Sequence, residues 1–501
     1  MIITAGKLYD YLYCPHKVWR DLYGPQDEKI QETNPFVKLL WERGVLHEEK
    51  IVEEIGEFTD ISQGSYDQRF KGTISEMQKG TNLIYQGVLK YNNLMGIPDL
   101  LQKVTEGIYI PIDIKSGMGL EGMDEEGEGG KPKKHYAVQL ALYIEILQKL
   151  GFANENKGII IDIQGNKIVY NLDYPKNTKS SVTWLDFYNE IKEITKLLLE
   201  DKKQNKPALG GVCKLCQWFD SCKKWCEKCG DLTNIFYLGR AIRDVINSDL
   251  SIESIDQICS CDLESVLEHK RKDKSFLSGI GEPTLNKIVN RANIIVKYKH
   301  PVAYKPINFP TVLKDLFFDI ETDPTQDFVY LHGIYERDKY GNEKYLNFFA
   351  ENNSKDEEER TWKSFWNYIN SLSKEDFVVY YYSAYEKTVY RKLQKKYPNV
   401  ISEEKLENFF DKKTAIDIYL DVVLKYTDWP IFSYSLKDIA TYLGFKWRDE
   451  TPSGALSILW YNKYLESGDK RHLNRILEYN EDDCKALMIV KDRMQKISVL
   501  E

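Results

Sequence analysis

The 501-residue sequence predicts a multidomain α/β protein, and three observations carry that expectation. Apolar, strand-like runs bearing acidic residues occur in both halves, at Gly96–Leu101, Ile108–Ile114 and Leu316–Thr322. Segments of helical spacing follow them, the alternation that α/β folds require. The length leaves room for about three domains at roughly 150 residues each.

Composition narrows the class. With 42% hydrophobic and 29% charged residues the chain is globular rather than disordered or fibrous. A net charge of −8, from 69 basic and 77 acidic residues, excludes a polybasic binder of nucleic acid. It leaves room for a nuclease, whose metal site needs carboxylates of its own. No apolar run approaches the roughly 20 residues of a membrane helix. Met1–Lys7 lacks the pattern of a secretory signal, so a cytoplasmic location without a membrane partner is expected. Nine cysteines in that compartment read as a metal or cluster site before they read as disulfides.

Punctuation divides the chain in three. Residues 1–230 mix strand and helix patterns and hold six of the nine cysteines. Residues 231–300 read as short helices with a Gly-x-Gly turn near the end. After the Pro-containing stretch His300–Pro310 a second α/β pattern begins, placing a third domain over 308–501. Gly117–Lys134, with its Glu-Glu-Gly-Glu-Gly-Gly core, reads as a mobile loop.

In the first region, Gly96–Leu101 reads as a buried strand with one acid, Asp99. A turn at Glu106-Gly107 leads to the strand Ile108–Ile114, which carries Asp113 and is followed by Lys115. Two acids on paired strands suit Mg²⁺ or Mn²⁺ held against a phosphodiester, and the lysine can orient water or offset charge. Asp113 and Lys115 share a strand face because the side-chain period is two. Gln139 and Tyr143 lie four apart on the helical segment His135–Leu150, and His47 follows Gly44-Val45-Leu46 on another helix. Asp-x-Lys alone is a common strand end; four elements in this order say more. Together they resemble the RecB-like branch of the PD-(D/E)xK nucleases, over residues 1–225. The resemblance implies a restriction-endonuclease-like domain in which His47, Asp99 and Asp113 ligate the metal. Lys115 would be the catalytic lysine, and Gln139 and Tyr143 the accessory motif.

Cys213 and Cys216 are followed by Cys222, Cys226 and Cys229, with Cys14 far upstream. Four thiolates can hold an iron–sulfur cluster or zinc. The set Cys14, Cys213, Cys216, Cys222 resembles that of the cluster-bearing members of the same group, which implies a [4Fe–4S] cluster. Cys213, Cys216, Cys226 and Cys229 form a C-x₂-C-x₉-C-x₂-C spacing that suits Zn²⁺ as the alternative, but that set leaves Cys14 and Cys222 unexplained, which favours the cluster. Cys259, Cys261 and Cys484 read as ordinary core or surface residues.

Residues 270–299 hold eight Lys or Arg against Asp273 and Glu282, a local excess of six. Within this stretch, Leu277–Leu285 contains Gly279 and Gly281 ahead of a helical segment Asn286–Val296. The pattern resembles a helix-hairpin-helix motif, whose glycines let backbone approach a phosphate at a helix N-terminus. Lys287 and Arg291 would add charge for the nucleic-acid backbone.

In the third region Leu316–Thr322 is an apolar strand with Asp319 and Glu321 on one face, and Tyr479 and Asp483 lie four apart on a helical segment. Acids from a strand and a helix converging on metal ions support in-line attack of water, which the tyrosine can position. The pattern resembles the DnaQ-like 3′–5′ exonucleases of RNase H-like fold, nearest to YprB-type domains, over residues 312–495. One departure stands out: the middle motif should supply an aspartate, and Ser383-Ala384-Tyr385-Glu386 offers Glu386 instead.

The combined reading is a metal-dependent DNA nuclease, an exonuclease acting on single strands or ends, with two active sites. RNA is compatible with the same chemistry. The alternatives are a nucleic-acid-binding or assembly factor with inactive nuclease folds, or an end trimmer of the CRISPR-adaptation kind with only the N-terminal site active.

Overall fold

A computed structural model describes residues 1–31, 34–122, 129–178, 180–200, 205–372 and 377–500. The chain forms two compact units, Met1–Pro207 with Gly211–Cys222, and Ala208–Gly210 with Lys223–Glu501.

The first unit is built on a six-stranded mixed sheet. Its strand order is Lys167–Asn171, Lys157–Ile161, Ile108–Ile114, Leu100–Thr105, Leu83–Tyr85, Thr59–Asp60. Ile108–Ile114 pairs antiparallel with Leu100–Thr105 through the Glu106-Gly107 turn, and parallel with Lys157–Ile161. A parallel pair needs a crossover, and the helix Lys134–Leu150 supplies it. Ten of that helix's residues are buried, from Tyr136 to Leu147, so it is a core helix and not an amphipathic surface one. The other face of the sheet carries Leu100, Ile112, Ile114 and Ile161, which pack with Ile51 and Val52 of the helix Pro35–Ile55. Asp99 is a correction to the expected strand: Gly96 ends one strand, Leu100 begins the next, and Asp99 occupies the bend between them. Residues 123–128 of the glycine-rich loop lie outside the described residues.

In the second unit a five-stranded sheet runs Glu343–Phe349, Phe328–Asp338, Lys314–Asp323, Phe377–Tyr381, Ala415–Asp417. The first three strands form an antiparallel meander and the last two join in parallel. Helices cover both faces. Leu316, Phe318 and Ile320 enter one core with Trp362, Phe365 and Tyr390. Phe317, pointing the other way, enters a second core with Cys484, Leu487 and Val490 of the helix Lys470–Met494.

The helices between 240 and 293 have a small core of their own, with Leu232, Ile246, Ile258, Leu285 and Ile288. Arg291 ties them to the rest of the unit. Its Nε donates to Asp428 Oδ1 at 2.7 Å, its Nη1 donates to the Phe236 carbonyl at 2.6 Å, and Tyr304 donates to Asp428 Oδ2 at 2.6 Å. With 4% and 0% of Arg291 and Asp428 exposed, this is a buried pair whose polar atoms must be matched in place. Among the described residues no helix is long and apolar enough to cross a membrane.

Candidate metal centre

Alternation along Lys314–Asp323 sends Phe318 and Ile320 to one face and Asp319 and Glu321 to the other. The helix Lys470–Met494 crosses that second face and presents Tyr479, Asn480 and Asp483 to it. One carboxylate oxygen from each of Asp319, Glu321 and Asp483 lies within 4.8 Å of the others. Gly333, paired with Asp319 on the adjacent strand, makes the close approach possible, since a Cβ there would stand 1.7 Å from Asn480 Oδ1. Asn480 Nδ2 donates to Asp319 Oδ2 at 2.7 Å, and its Oδ1 accepts from the Tyr345 hydroxyl at 2.8 Å. Trp447 Nε1 donates to Asp483 Oδ1 at 2.7 Å. These outer partners fix the carboxylates' rotamers.

Electrostatically the trio is under pressure. Burial, then the charges of Asp483, Glu321 and Glu386, raise Asp319 well above the usual carboxylate range. Glu321 is pushed up to about 8 by burial and by Asp483. Asp483 is raised by burial, against which Lys437 works. Such a set cannot ionise fully without a cation, and an all-oxygen donor set suits a hard ion such as Mg²⁺ or Mn²⁺. Lys437 reaches the site from the start of the helix Leu436–Tyr442: its Nζ donates to the Tyr479 hydroxyl at 2.6 Å and to the Pro452 carbonyl at 3.1 Å. The sequence assigned Lys437 no role; its ammonium holds the tyrosine.

Glu386 is buried in the first turn of the helix Tyr385–Lys396. Its charge bears on Asp319, yet among the described residues it stands outside the group of three and its Oε2 has no hydrogen-bond partner. The turn before it is strained: Ser383 takes φ +106° while its N–H donates to Asp417 Oδ1 at 3.1 Å. Asp417, a buried acid at the end of its strand, drew no attention in the sequence.

The N-terminal residues are placed as follows. Asp113 is buried and pairs with Lys115. Asp99 Oδ2 accepts from the Ile114 N–H at 2.7 Å, and its Oδ1 accepts from Gln86 at 3.1 Å. Gln86 also donates to Glu48, at 2.6 Å, which brings an acid the sequence reading passed over. Burial and the Asp113 charge raise Asp99 well above its usual value. For Lys115, burial pulls its pKa down and the Asp113 and Asp99 charges more than restore it, so the lysine stays charged. Gln139 donates to the Tyr143 hydroxyl at 2.8 Å, and Tyr143 donates to the Ile97 carbonyl at 3.2 Å. Gly96 admits that tyrosine, since a Cβ would stand 2.4 Å from its ring. His47 Nε2 lies 3.1 Å from the Asp162 carbonyl oxygen. Among the described residues, His47, Asp99 and Asp113 do not form a three-ligand group within 4.8 Å as the second unit's acids do.

Among the cysteines, burial raises the Cys216 and Cys222 thiols, and Cys14 adds to the rise in both. The Cys216 N–H donates to the Cys213 carbonyl at 2.9 Å. Cys226 is buried, with the Thr233 hydroxyl 4.0 Å from its sulfur, and Cys229 Sγ lies 3.7 Å from the Cys226 carbonyl. At the middle segment Gly279 takes φ +79°, Gly281 precedes the helix Glu282–Asn293, and Lys287 is exposed on it. Arg291 corrects the sequence reading: it is buried against Asp428 and turns no charge outward.

Comparison with known proteins gives a partial answer. Residues 316–495 match the family model of the RNase_H superfamily. The matched region contains Asp319, Glu321, Glu386, Tyr479 and Asp483, so this part of the chain has a nuclease-type fold, one typical of metal-dependent enzymes acting on nucleic acid. No curated protein matches the chain. The solved structure of SSO0001 matches 44% of this chain and 86% of its own length at 19% identity, with a TM-score of 0.22, too weak a likeness to bear on fold or function.

The carboxylate trio makes stability depend on pH in an unusual direction. Glu321 moves from an ordinary 4.5 to about 8 in the folded chain, so the native state holds a proton that the unfolded state has released. Its contribution is therefore full below about pH 4.5 and lost as pH rises through about 8. In EDTA the unfolding temperature of the second unit should fall over that window, and Mn²⁺ should reverse the fall by replacing the proton. An EDTA profile that climbs with pH, unchanged by Mn²⁺, would contradict this reading.

Proposed function

We propose that the chain is a metal-dependent nuclease, an exonuclease acting on single-stranded DNA or on DNA ends, whose principal centre is Asp319, Glu321 and Asp483. The observation that carries this reading is the convergence of those three carboxylates within 4.8 Å on a buried face of a nuclease-type fold. A cation bound by them supplies Lewis acidity toward a phosphate oxygen. The chain's own groups do the rest. Asn480 and Trp447 hold two of the carboxylates in place. The Tyr479 hydroxyl, accepting from Lys437, is oriented to align an attacking water, and the lysine's charge offsets negative charge that builds at the phosphate.

The first unit is read as a second, RecB-like centre, with Asp99 and Asp113 toward the metal and Lys115 as the catalytic lysine. Lys115 paired with a buried Asp113 supports it, and Glu48 joins the same polar network through Gln86. Cys14, Cys213, Cys216 and Cys222 are assigned to a [4Fe–4S] cluster. The mutual influence of the Cys14, Cys216 and Cys222 thiols favours this set over the zinc alternative. The glycines of the middle segment, with Lys287, are assigned to contact with nucleic-acid backbone. A second reading, in which the C-terminal site grips nucleic acid without cutting, draws on Glu386 standing outside the trio.

Degradation of end-labelled single-stranded DNA in Mn²⁺ tests the proposal. Outer partners of metal ligands are worth about 10–100-fold; Asn480→Ala should fall in that range, and Asp319→Ala and Asp483→Ala below it. Asp113→Ala should remove a different set of products. Full activity in both Asp319→Ala and Asp483→Ala would dismiss the C-terminal centre.

Iron and sulfide analysis of anaerobically purified chain addresses the cluster. About four irons per chain, lost in Cys14→Ser, are expected; zinc in their place, retained in Cys14→Ser, would refute the assignment.

A further inference from the structure

Several aromatic side chains of the first unit are exposed, and two of them, both tyrosines, stand together on one helix. Tyr9 and Tyr13 lie one turn apart on the helix Ala5–Tyr13, with 47% and 44% of their surface exposed and ring centroids 4.7 Å apart. His135, at the start of the crossover helix, meets Tyr9 edge-on at 5.4 Å and lies 6.1 Å from Tyr13. It also lies 4.3 Å from Tyr136, whose ring has Lys115 Nζ at 5.6 Å and Lys133 Nζ at 5.3 Å. An unbroken series of rings thus leads from solvent to the lysine that pairs with Asp113. Burial, reinforced by the Lys133 and Lys115 charges, pushes the His135 imidazole down to about 4, so it is a neutral ring at neutral pH.

We infer that Tyr9, Tyr13 and His135 form a stacking platform for the unpaired bases of a single nucleic-acid strand leading to Asp113 and Lys115. The inference rests on the reading of those two residues as a nuclease centre. Bases within a duplex already stack on one another, so exposed rings offer most to an unpaired strand, whatever its sequence. The Lys133 ammonium, beside the Lys115–Asp113 pair at the inner end, suits a phosphodiester backbone, whose charge an apolar anchor from a protein partner would not supply.

The test is fluorescence anisotropy with labelled oligothymidylate and with a blunt duplex, on the full chain in EDTA. Tyr9→Ala/Tyr13→Ala should bind the single strand about tenfold more weakly, since stacking is worth that much per base. Tyr9→Phe/Tyr13→Phe should bind as wild type, and duplex binding should not change in either. Equal single-strand binding by the alanine variant, or an equal loss on duplex, overturns the platform. A wild-type experiment needs no variant to fold: photo-crosslinks from an iodouracil-substituted strand should map to the peptide carrying Tyr9 and Tyr13, and crosslinks confined to other peptides also overturn it. Cleavage is not read here, so the two failures are separable. A chain that binds through these tyrosines yet cuts nothing keeps the platform and loses the nuclease reading.

Discussion

Three carboxylates within 4.8 Å of one another, packed against a sheet, repel by about 3–4 kcal/mol per ionised pair at an effective dielectric constant of about 20. Much of the second unit is arranged around holding them there. The missing side chain at Gly333 lets the helix bearing Asp483 come down on the strand bearing Asp319. Asn480 and Trp447 then donate to Asp319 and Asp483, Tyr345 holds the Asn480 amide, and Lys437 sets one positive charge beside them. A fold that needed only stability would bury apolar residues at these positions. Three acids with a network that restrains them support the proposed cation site.

The N-terminal acids are held by a different logic. Asp113 has its own lysine and Asp99 is tied to the backbone of the neighbouring strand, while the Asp113 charge still bears on Asp99. The crossover helix stabilises this arrangement: its buried residues form the core beneath the strand, and its Tyr143 reaches the carbonyl of Ile97, two residues before Asp99.

Short-range periodicity made much of this legible. Asp319 with Glu321, Tyr479 with Asp483, and Gln139 with Tyr143 are set two or four residues apart, so the strand and helix periods alone put each pair on one face. The strand Ile108–Ile114 and its turn could be read to the residue. Contacts between distant segments could not. Lys437 meets Tyr479 across 42 residues, and His135 meets Tyr9 across 126, distances at which local pattern carries no information. Arg291 was misjudged although a signal existed. It lies three residues after Ile288 and next to Ala292, on the apolar face of its helix, and the surrounding run of basic residues masked that position. Asp99 fell outside its strand because the Pro98 that precedes it cannot donate to a ladder, so pairing resumes only at Leu100.

The claim on which the rest depends is that Asp319, Glu321 and Asp483 bind a divalent cation. Equilibrium uptake of Mn²⁺ at about pH 8, followed by loss of the free ion's paramagnetic resonance signal, addresses it directly. Wild type should take up Mn²⁺ with release of protons, and Asp483→Asn should lose one class of sites while remaining folded. Identical uptake by the two proteins would contradict the account.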